Sequence, residues 1–283
     1  MRNDGWPGRS RRAFIRSESP VAGDRANVMS SLHVDPKYQH LLREIGLDAD
    51  AIFSHPLIKP WRTLEDRENC TLDFTSVSGE TICWHIKRYP KNNATTADAE
   101  VNGVKLLNDA GIPTLTLVAW GKDSAGRSFT ISEDLEGFQD SEKLVQSGLS
   151  FAPEFYDSCA QVAANLHDAG LHHRDLYLCH FFSQTKATRT EIRLIDVARV
   201  KKLPRFFRSR WIVKDLAQFW YSLIQIGVDE SSRWGWLRSY ARYREIPAVG
   251  WLAWKVKRKA RWIARHDAKL RAKQPMRNIS IEK

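Results

Sequence analysis

His172, His173, Arg174 and Asp175 stand side by side, and a further histidine follows at position 180. They belong to the run from Leu166 to His180, which reads as the end of a helix, a stop at Gly170 and then a polar turn. An apolar helical pattern precedes the turn and an aspartate-bearing strand, closed by Asp196, follows it, so the polar groups fall where packed elements meet. A carboxylate held in such a place can accept the proton of a hydroxyl and keep the oxygen in line for attack. Taken singly, an aspartate in a loop more often only ends a turn.

The elements that must hold these residues read as a strand-rich first part and a helix-rich second part. Residues 71–75 and 81–87 form a hairpin joined through Ser78-Gly79-Glu80. A helix over 97–108 is closed by Gly111-Ile112-Pro113, and strands follow at 114–120 and 129–131. Helices are then expected at 141–146, 155–166, 215–226 and 250–272, with a strand at 191–197. Ahead of all this, residues 1–30 lack periodicity and read as a flexible leader. Residues 31–60 read as an N-terminal extension with a short helix stopped at Gly46 and breaks at Pro56 and Pro60.

Composition sets limits on function. A chain of 283 residues, 42% of them hydrophobic, has enough apolar surface for one large domain or two lobes. The net charge of +11 implies an anionic partner without choosing among nucleotide phosphate, nucleic acid and membrane. Cysteines at 70, 83, 159 and 179 form no CxxC pair, which argues against a zinc site and a disulfide scaffold. No apolar run is long enough to cross a bilayer, and the arginine-rich start lacks the apolar core of a signal peptide. A cytoplasmic location is expected.

His173-Arg174-Asp175-Leu176 followed by His180 resembles the catalytic loop of the protein-kinase-like fold. The longer phrase, through Tyr177-Leu178-Cys179-His180-Phe181-Phe182, is similar to the lipopolysaccharide kinase (Kdo/WaaP) family. The resemblance covers roughly residues 62–267. It implies an α+β, two-lobed protein-kinase-like fold, with a small β-rich N-lobe at 61–135, a larger helical C-lobe at 136–272 and a tail at 273–283. It also implies that ATP is the phosphoryl donor, Mg2+ the metal and a sugar hydroxyl of a lipopolysaccharide-type core the acceptor.

On that resemblance Asp175 is the catalytic base, and Asp196, which lies 21 residues further on, holds magnesium. Asp196 sits in Asp-Val-Ala rather than the Asp-Phe-Gly of protein kinases. Lys87, closing Trp84-His85-Ile86-Lys87, is expected to reach the nucleotide phosphates, with Glu100 as its ion-pair partner; Lys91 and Glu80 are the nearest alternatives. Gly79 offers the single glycine of the phosphate-covering loop. Glu133 marks the chain that binds adenine between the lobes. His180 stands where protein kinases carry an asparagine, and either ligates metal or supports the loop, magnesium preferring oxygen. Arg174 shapes the turn, and Asp215 braces it from below or caps a helix.

Near the C-terminus Trp251, Trp254 and Trp262 are interleaved with lysines and arginines, opposite an apolar stripe of Leu252, Val256, Ala260 and Ile263. Such a helix either docks on the protein with its tryptophans under loops or offers them to a headgroup layer. The expected partners are ATP, an anionic glycolipid and the inner face of the cytoplasmic membrane, bound peripherally, with no nucleic acid. A protein kinase and a non-catalytic nucleotide- or membrane-binding scaffold are the alternatives.

Overall fold

A computed structural model describes residues 30–90, 96–186 and 189–273. Residues 1–29 of the leader and all but the first residue of the tail, together with Lys91, lie outside the described residues. The order is β1 (Ser31–Val34), α1 (Gln39–Glu44), β2 (Ile58–Thr63), β3 (Glu68–Thr75), β4 (Thr81–Tyr89), α2 (Ala97–Asp109), β5 (Leu117–Lys122) and β6 (Ser128–Glu133). These make the N-lobe. The C-lobe follows with β7 (Gln139–Asp140), α3 (Ser141–Gln146), α4 (Pro153–Asp168), β8 (Leu171–His172), β9 (Phe181–Lys186), β10 (Arg189–Leu194), β11 (Lys201–Lys202), α5 (Arg208–Gln225), α6 (Glu230–Tyr243) and α7 (Val249–Lys273). The architecture is α+β and two-lobed, a β-rich N-lobe followed by a larger helical C-lobe.

The N-lobe sheet has six strands in the order β1-β5-β6-β4-β3-β2. On β3 the alternation places Cys70, Leu72 and Phe74 in the lobe's core, and on β4 it places Trp84 and Ile86 there. Asn69, His85 and Lys87 therefore share the other face. Residues 31–60, read from the sequence as an extension, are part of this lobe. Strand β1 pairs with β5, and Tyr38, Leu41, Leu42, Leu47 and Ile52 are buried in the same core. An edge strand and a short helix carry too few residues for their periodicity to announce this.

The division of the cores does not follow the chain at residue 135 either. Val104 and Leu107 of α2, with Ile112 and Leu115, pack into the C-lobe core. Gly103 is the residue that lets α2 come so close. A Cβ there would lie 2.0 Å from the Val197 carbonyl oxygen, inside contact distance of the backbone that follows Asp196. One helix thus links the sheet to the turn beneath it.

The C-lobe is built round α5, whose Leu216, Ala217, Phe219 and Leu223 are fully buried. It begins at Arg208, seven residues before the start read from the sequence. Helix α7 packs on α5 through Leu252, Ala253, Val256, Ala260 and Ile263, the apolar stripe expected of it. Its tryptophans are not under loops: Trp251, Trp254 and Trp262 are all exposed, with Trp251 stacked on Trp254.

Candidate active site

The polar turn is held by one face of α5. Asp215, Gln218 and Ser222 recur at helical spacing and meet successive backbone amides of the turn. The amides of His173 and Arg174 donate to Asp215 Oδ2 and Oδ1 at 2.7 and 2.9 Å. Leu176 N–H donates to Gln218 Oε1 at 3.3 Å, and Leu178 N–H to Ser222 Oγ at 3.0 Å. The Arg174 carbonyl accepts from Lys214 and Gln218. Arg174 itself takes a left-handed conformation, φ 74°, which a non-glycine residue holds only when its surroundings impose it. Asp215 lies inside the helix, so it braces the turn and is not a cap. Burial raises its carboxyl, but His167, His173 and the amides outweigh that and hold it below the ordinary value.

Asp175 emerges from this turn with both oxygens held. Arg199 Nη1 donates to Oδ2 at 2.5 Å and Gln218 Nε2 to Oδ1 at 3.4 Å. Arg199 is itself largely exposed and on the open side. The carboxylate is therefore aimed, yet reachable by an acceptor that displaces or shares the arginine.

Four other predicted residues converge. Lys87 Nζ donates to Glu100 Oε1 at 2.7 Å and lies 3.7 Å from Asp196 Oδ1. Glu100 is buried on α2, three residues before Gly103, so the close approach of that helix carries the carboxylate to the lysine. Burial lowers the proton affinity of Lys87, but Glu100 and Asp196 more than reverse this and hold it charged. Asp196 follows β10 by two residues in a left-handed turn, φ 55°. Burial pushes its carboxyl up, while Lys87 foremost, then His180 and Arg67, drive it well below the usual carboxylate range. His180 Nδ1 faces the Asp175 carbonyl at 2.7 Å, so that nitrogen carries the proton and donates. Its other ring nitrogen, Nε2, lies 3.6 Å from Asp196 Oδ2.

One predicted residue stands elsewhere, and another lies at the exit from the N-lobe sheet. Gly79 is in the β3–β4 turn, φ 82°, whereas Lys87 lies near the other end of β4, paired with Asn69. The span from Thr81 to Lys87 alone is roughly 20 Å at a strand's rise, so Gly79 cannot cover phosphates held by Lys87; Glu80, beside it, is equally remote. Glu133 ends β6, where the chain leaves the sheet. Its N–H donates to Thr116 O at 3.0 Å and its carboxylate accepts from Tyr38 and Lys37, which leaves the side chain occupied within the N-lobe.

The hairpin turn that does border Lys87 is the one between β2 and β3, closed by Leu64 N–H donating to Arg67 O at 2.8 Å. Arg67 lies two residues before Asn69, so the strand alternation puts it on the face of Lys87. It is among the cations acting on Asp196. Neither it nor Gln218 and Ser222 stands out in the sequence as a site residue. For the latter two the i, i+3, i+7 spacing from Asp215 was the available signal; for Arg67 the register of β3 on β4 was needed. Cys83, His85 and Asp134 also come together on the sheet, but burial and Asp73 push the Cys83 thiol up to about 12, and a protonated thiol is a poor ligand.

The residues around Lys87 suit a polyphosphate with a divalent cation. Arg67 Nε is a buried donor without a hydrogen-bond partner among the described residues, as expected where a polar ligand completes the site. Lys87 and Arg67 supply positive charge, Asp196 an ionised carboxylate and His180 a ring nitrogen 3.6 Å from it. Asp196 and His180 are the residues that could hold the metal; Lys87 and Arg67, both donors, those that could meet phosphate.

A family model described as the lipopolysaccharide kinase (Kdo/WaaP) family matches residues 81–240. The chain is 31% identical over 182 residues to the lipopolysaccharide core heptose(I) kinase WaaP of Pseudomonas aeruginosa, covering 58% of this chain and 67% of that protein. It is 30% identical over 204 residues to the protein of the same description from Escherichia coli, covering 64% and 76%. Among solved structures, an amicoumacin kinase in complex with AMP-PNP, Ca2+ and Ami aligns with a TM-score of 0.49 at 13% identity, over 77% of this chain and 84% of that one.

Proposed function

The chain belongs to the lipopolysaccharide kinase (Kdo/WaaP) family, and from that premise we propose that it transfers the γ-phosphoryl group of ATP to a hydroxyl of a heptose or Kdo-type sugar in a lipopolysaccharide core. The observation that carries this reading is the convergence of Lys87, Glu100, Asp196 and His180, with the aimed carboxylate of Asp175 joined to them through its own carbonyl and the His180 ring.

Phosphoryl transfer asks the protein mainly to position groups and balance charge. Asp175 accepts the proton of the sugar hydroxyl and orients the oxygen. Lys87 meets the nucleotide phosphates, and Glu100 holds Lys87 in place. Asp196, kept ionised by Lys87, and His180 would hold a magnesium ion there, whose chemistry would be to offset the charge of the phosphates. The β2–β3 turn has no glycine, and Arg67 takes the part that backbone amides play in a glycine-rich loop, adding a charged donor to the phosphates.

Replacing Arg67 with alanine is therefore expected to raise the KM for ATP about tenfold, the worth of one charge-assisted contact. The melting temperature should hardly move. An unchanged KM removes Arg67 from the phosphate site.

The acceptor is lipid-linked, and the outward aromatic and basic face of α7 supports peripheral attachment to the inner face of the cytoplasmic membrane. Among the described residues no helix is long and apolar enough to cross a membrane. The test of the reaction is phosphate transfer from labelled ATP to purified core glycolipid beside a protein mixture. Label in the glycolipid, dependent on magnesium, is the expected result; label confined to protein would show a protein kinase, and none in either a scaffold.

A further inference from the structure

Between Asp196 and Asp215 the chain has no acid and seven lysines and arginines. In the middle of this stretch Phe206 and Phe207 are 71% and 81% exposed. Single apolar residues on a surface are ordinary; two adjacent phenylalanines at the tip of a cationic segment are a local concentration. Lys201, Lys202, Arg205, Arg208 and Arg210 around them are all exposed as well.

The segment is fixed at its base and bare at its tip. Strand β11 pairs with β8, immediately before the catalytic turn, and Leu203 N–H donates to Gly170 O at 2.7 Å. Arg199, two residues before β11, holds Asp175. At the other end Phe207 takes a left-handed conformation, φ 61°, directly before the first turn of α5. A bulky residue in that conformation costs energy, and among the described residues its exposed ring finds little packing to offset it.

A second element continues the same surface. Helix α7 packs on α5, and burial together with nearby Arg210 lowers the proton affinity of Lys259. Lys259 Nζ in turn lies 3.6 Å from the centre of the exposed Trp262 ring. From Ile246 to His266 the helix and its approach also contain no acid. Aromatic rings set among cations, on two packed elements and beside the catalytic turn, match a layer that is anionic at its surface and apolar beneath. A soluble polyanion would answer the cations and leave the paired phenylalanines in water.

We propose that residues 201–210 and the outer face of α7 form a docking surface for an anionic phospholipid leaflet, with Phe206 and Phe207 entering its apolar layer and seating the catalytic turn over a lipid-linked acceptor. This rests on reading the chain as a glycolipid kinase. It names the element that touches the bilayer, which the attachment of α7 alone does not.

The test is flotation of the full chain with phosphatidylcholine vesicles, with and without phosphatidylglycerol, for the wild type and the double variant Phe206→Ser/Phe207→Ser. Wild type should float only with the anionic vesicles, and the double variant should bind them roughly tenfold or more weakly. Its melting temperature and its transfer to a water-soluble, de-acylated core oligosaccharide should match wild type, while transfer to vesicle-embedded glycolipid falls. Equal flotation of the two proteins overturns the proposal, as does binding that a soluble polyanion removes equally from both. If wild type floats through its phenylalanines yet phosphorylates neither acceptor, the docking surface stands and the kinase reading falls.

Discussion

Asp175→Asn is expected to lower kcat for glycolipid phosphorylation by roughly 10²–10⁴, the usual contribution of a positioned general base, with the KM values and the melting temperature near those of wild type. The amide is isosteric, and its oxygen can still accept from Arg199, which meets Oδ2 at 2.5 Å. Loop geometry should therefore survive while the proton acceptor is lost. Steady-state kinetics with purified acceptor, beside thermal unfolding of both proteins, reads the two effects separately. A fall in kcat of less than about fivefold would remove Asp175 from the proton-transfer role, since that is far below what general-base catalysis provides. A large fall accompanied by an equally large loss of stability would make the residue a support of the turn instead.

Arg199 adds a second expectation to the same experiment. Its guanidinium stands on the exposed side of Asp175, where an acceptor hydroxyl must arrive. The arginine has to move aside or share the carboxylate, so Arg199→Ala should affect the KM for the sugar acceptor more than that for ATP.

The chemistry of the turn was legible because its residues are contiguous. Asp175 and His180 lie within one phrase, and Asp196 follows at a spacing set by the hairpin of β9 and β10. The pair Lys87 and Glu100 was legible for a related reason: a strand end and the next helix face one another whenever the helix packs back on the sheet. Gly79 shows where this stops. A glycine between two strands announces a tight turn, and its φ of 82° is what such a turn requires. Which end of the hairpin borders the cleft depends on the register of β3 and β4, where Asn69 opposes Lys87, and no local pattern carries that information. Arg67 went unread for the same reason.

The first seven residues of α5 are not marked in the sequence, because Phe206-Phe207-Arg208-Ser209-Arg210 has no apolar periodicity. Helix α6 escaped because its buried Trp236, Leu237 and Tyr240 are set among serines and arginines. The small lobe was begun too late because its first strand and first helix are short, and their burial comes from a sheet assembled much later in the chain.

Asp215 is where the helix face and the catalytic turn become one structure, and Asp215→Ala should have the largest effect on stability of any single change near the site. The side chain is 0% exposed and accepts the amides of His173 and Arg174 at 2.7 and 2.9 Å. Alanine would leave two buried donors without partners beside a residue already held at φ 74°. The expected loss is roughly 3–5 kcal/mol, from orphaned donors and a broken buried network, measured by denaturant unfolding. The wild-type carboxyl is lower in the folded chain than in the unfolded one, because its hydrogen bonds outweigh the burial that opposes them. Its contribution is therefore complete above the unfolded carboxylate value near 4 and is lost as pH falls through the folded one. The stability difference between wild type and Asp215→Ala should accordingly be flat at neutral pH and shrink in acid. A difference that stays constant down through the acid range would mean that Asp215 supports the turn through its packing rather than its charge. With the turn released, Asp175 would lose its aim even while intact, so residual folded Asp215→Ala protein should be as deficient in transfer as Asp175→Asn.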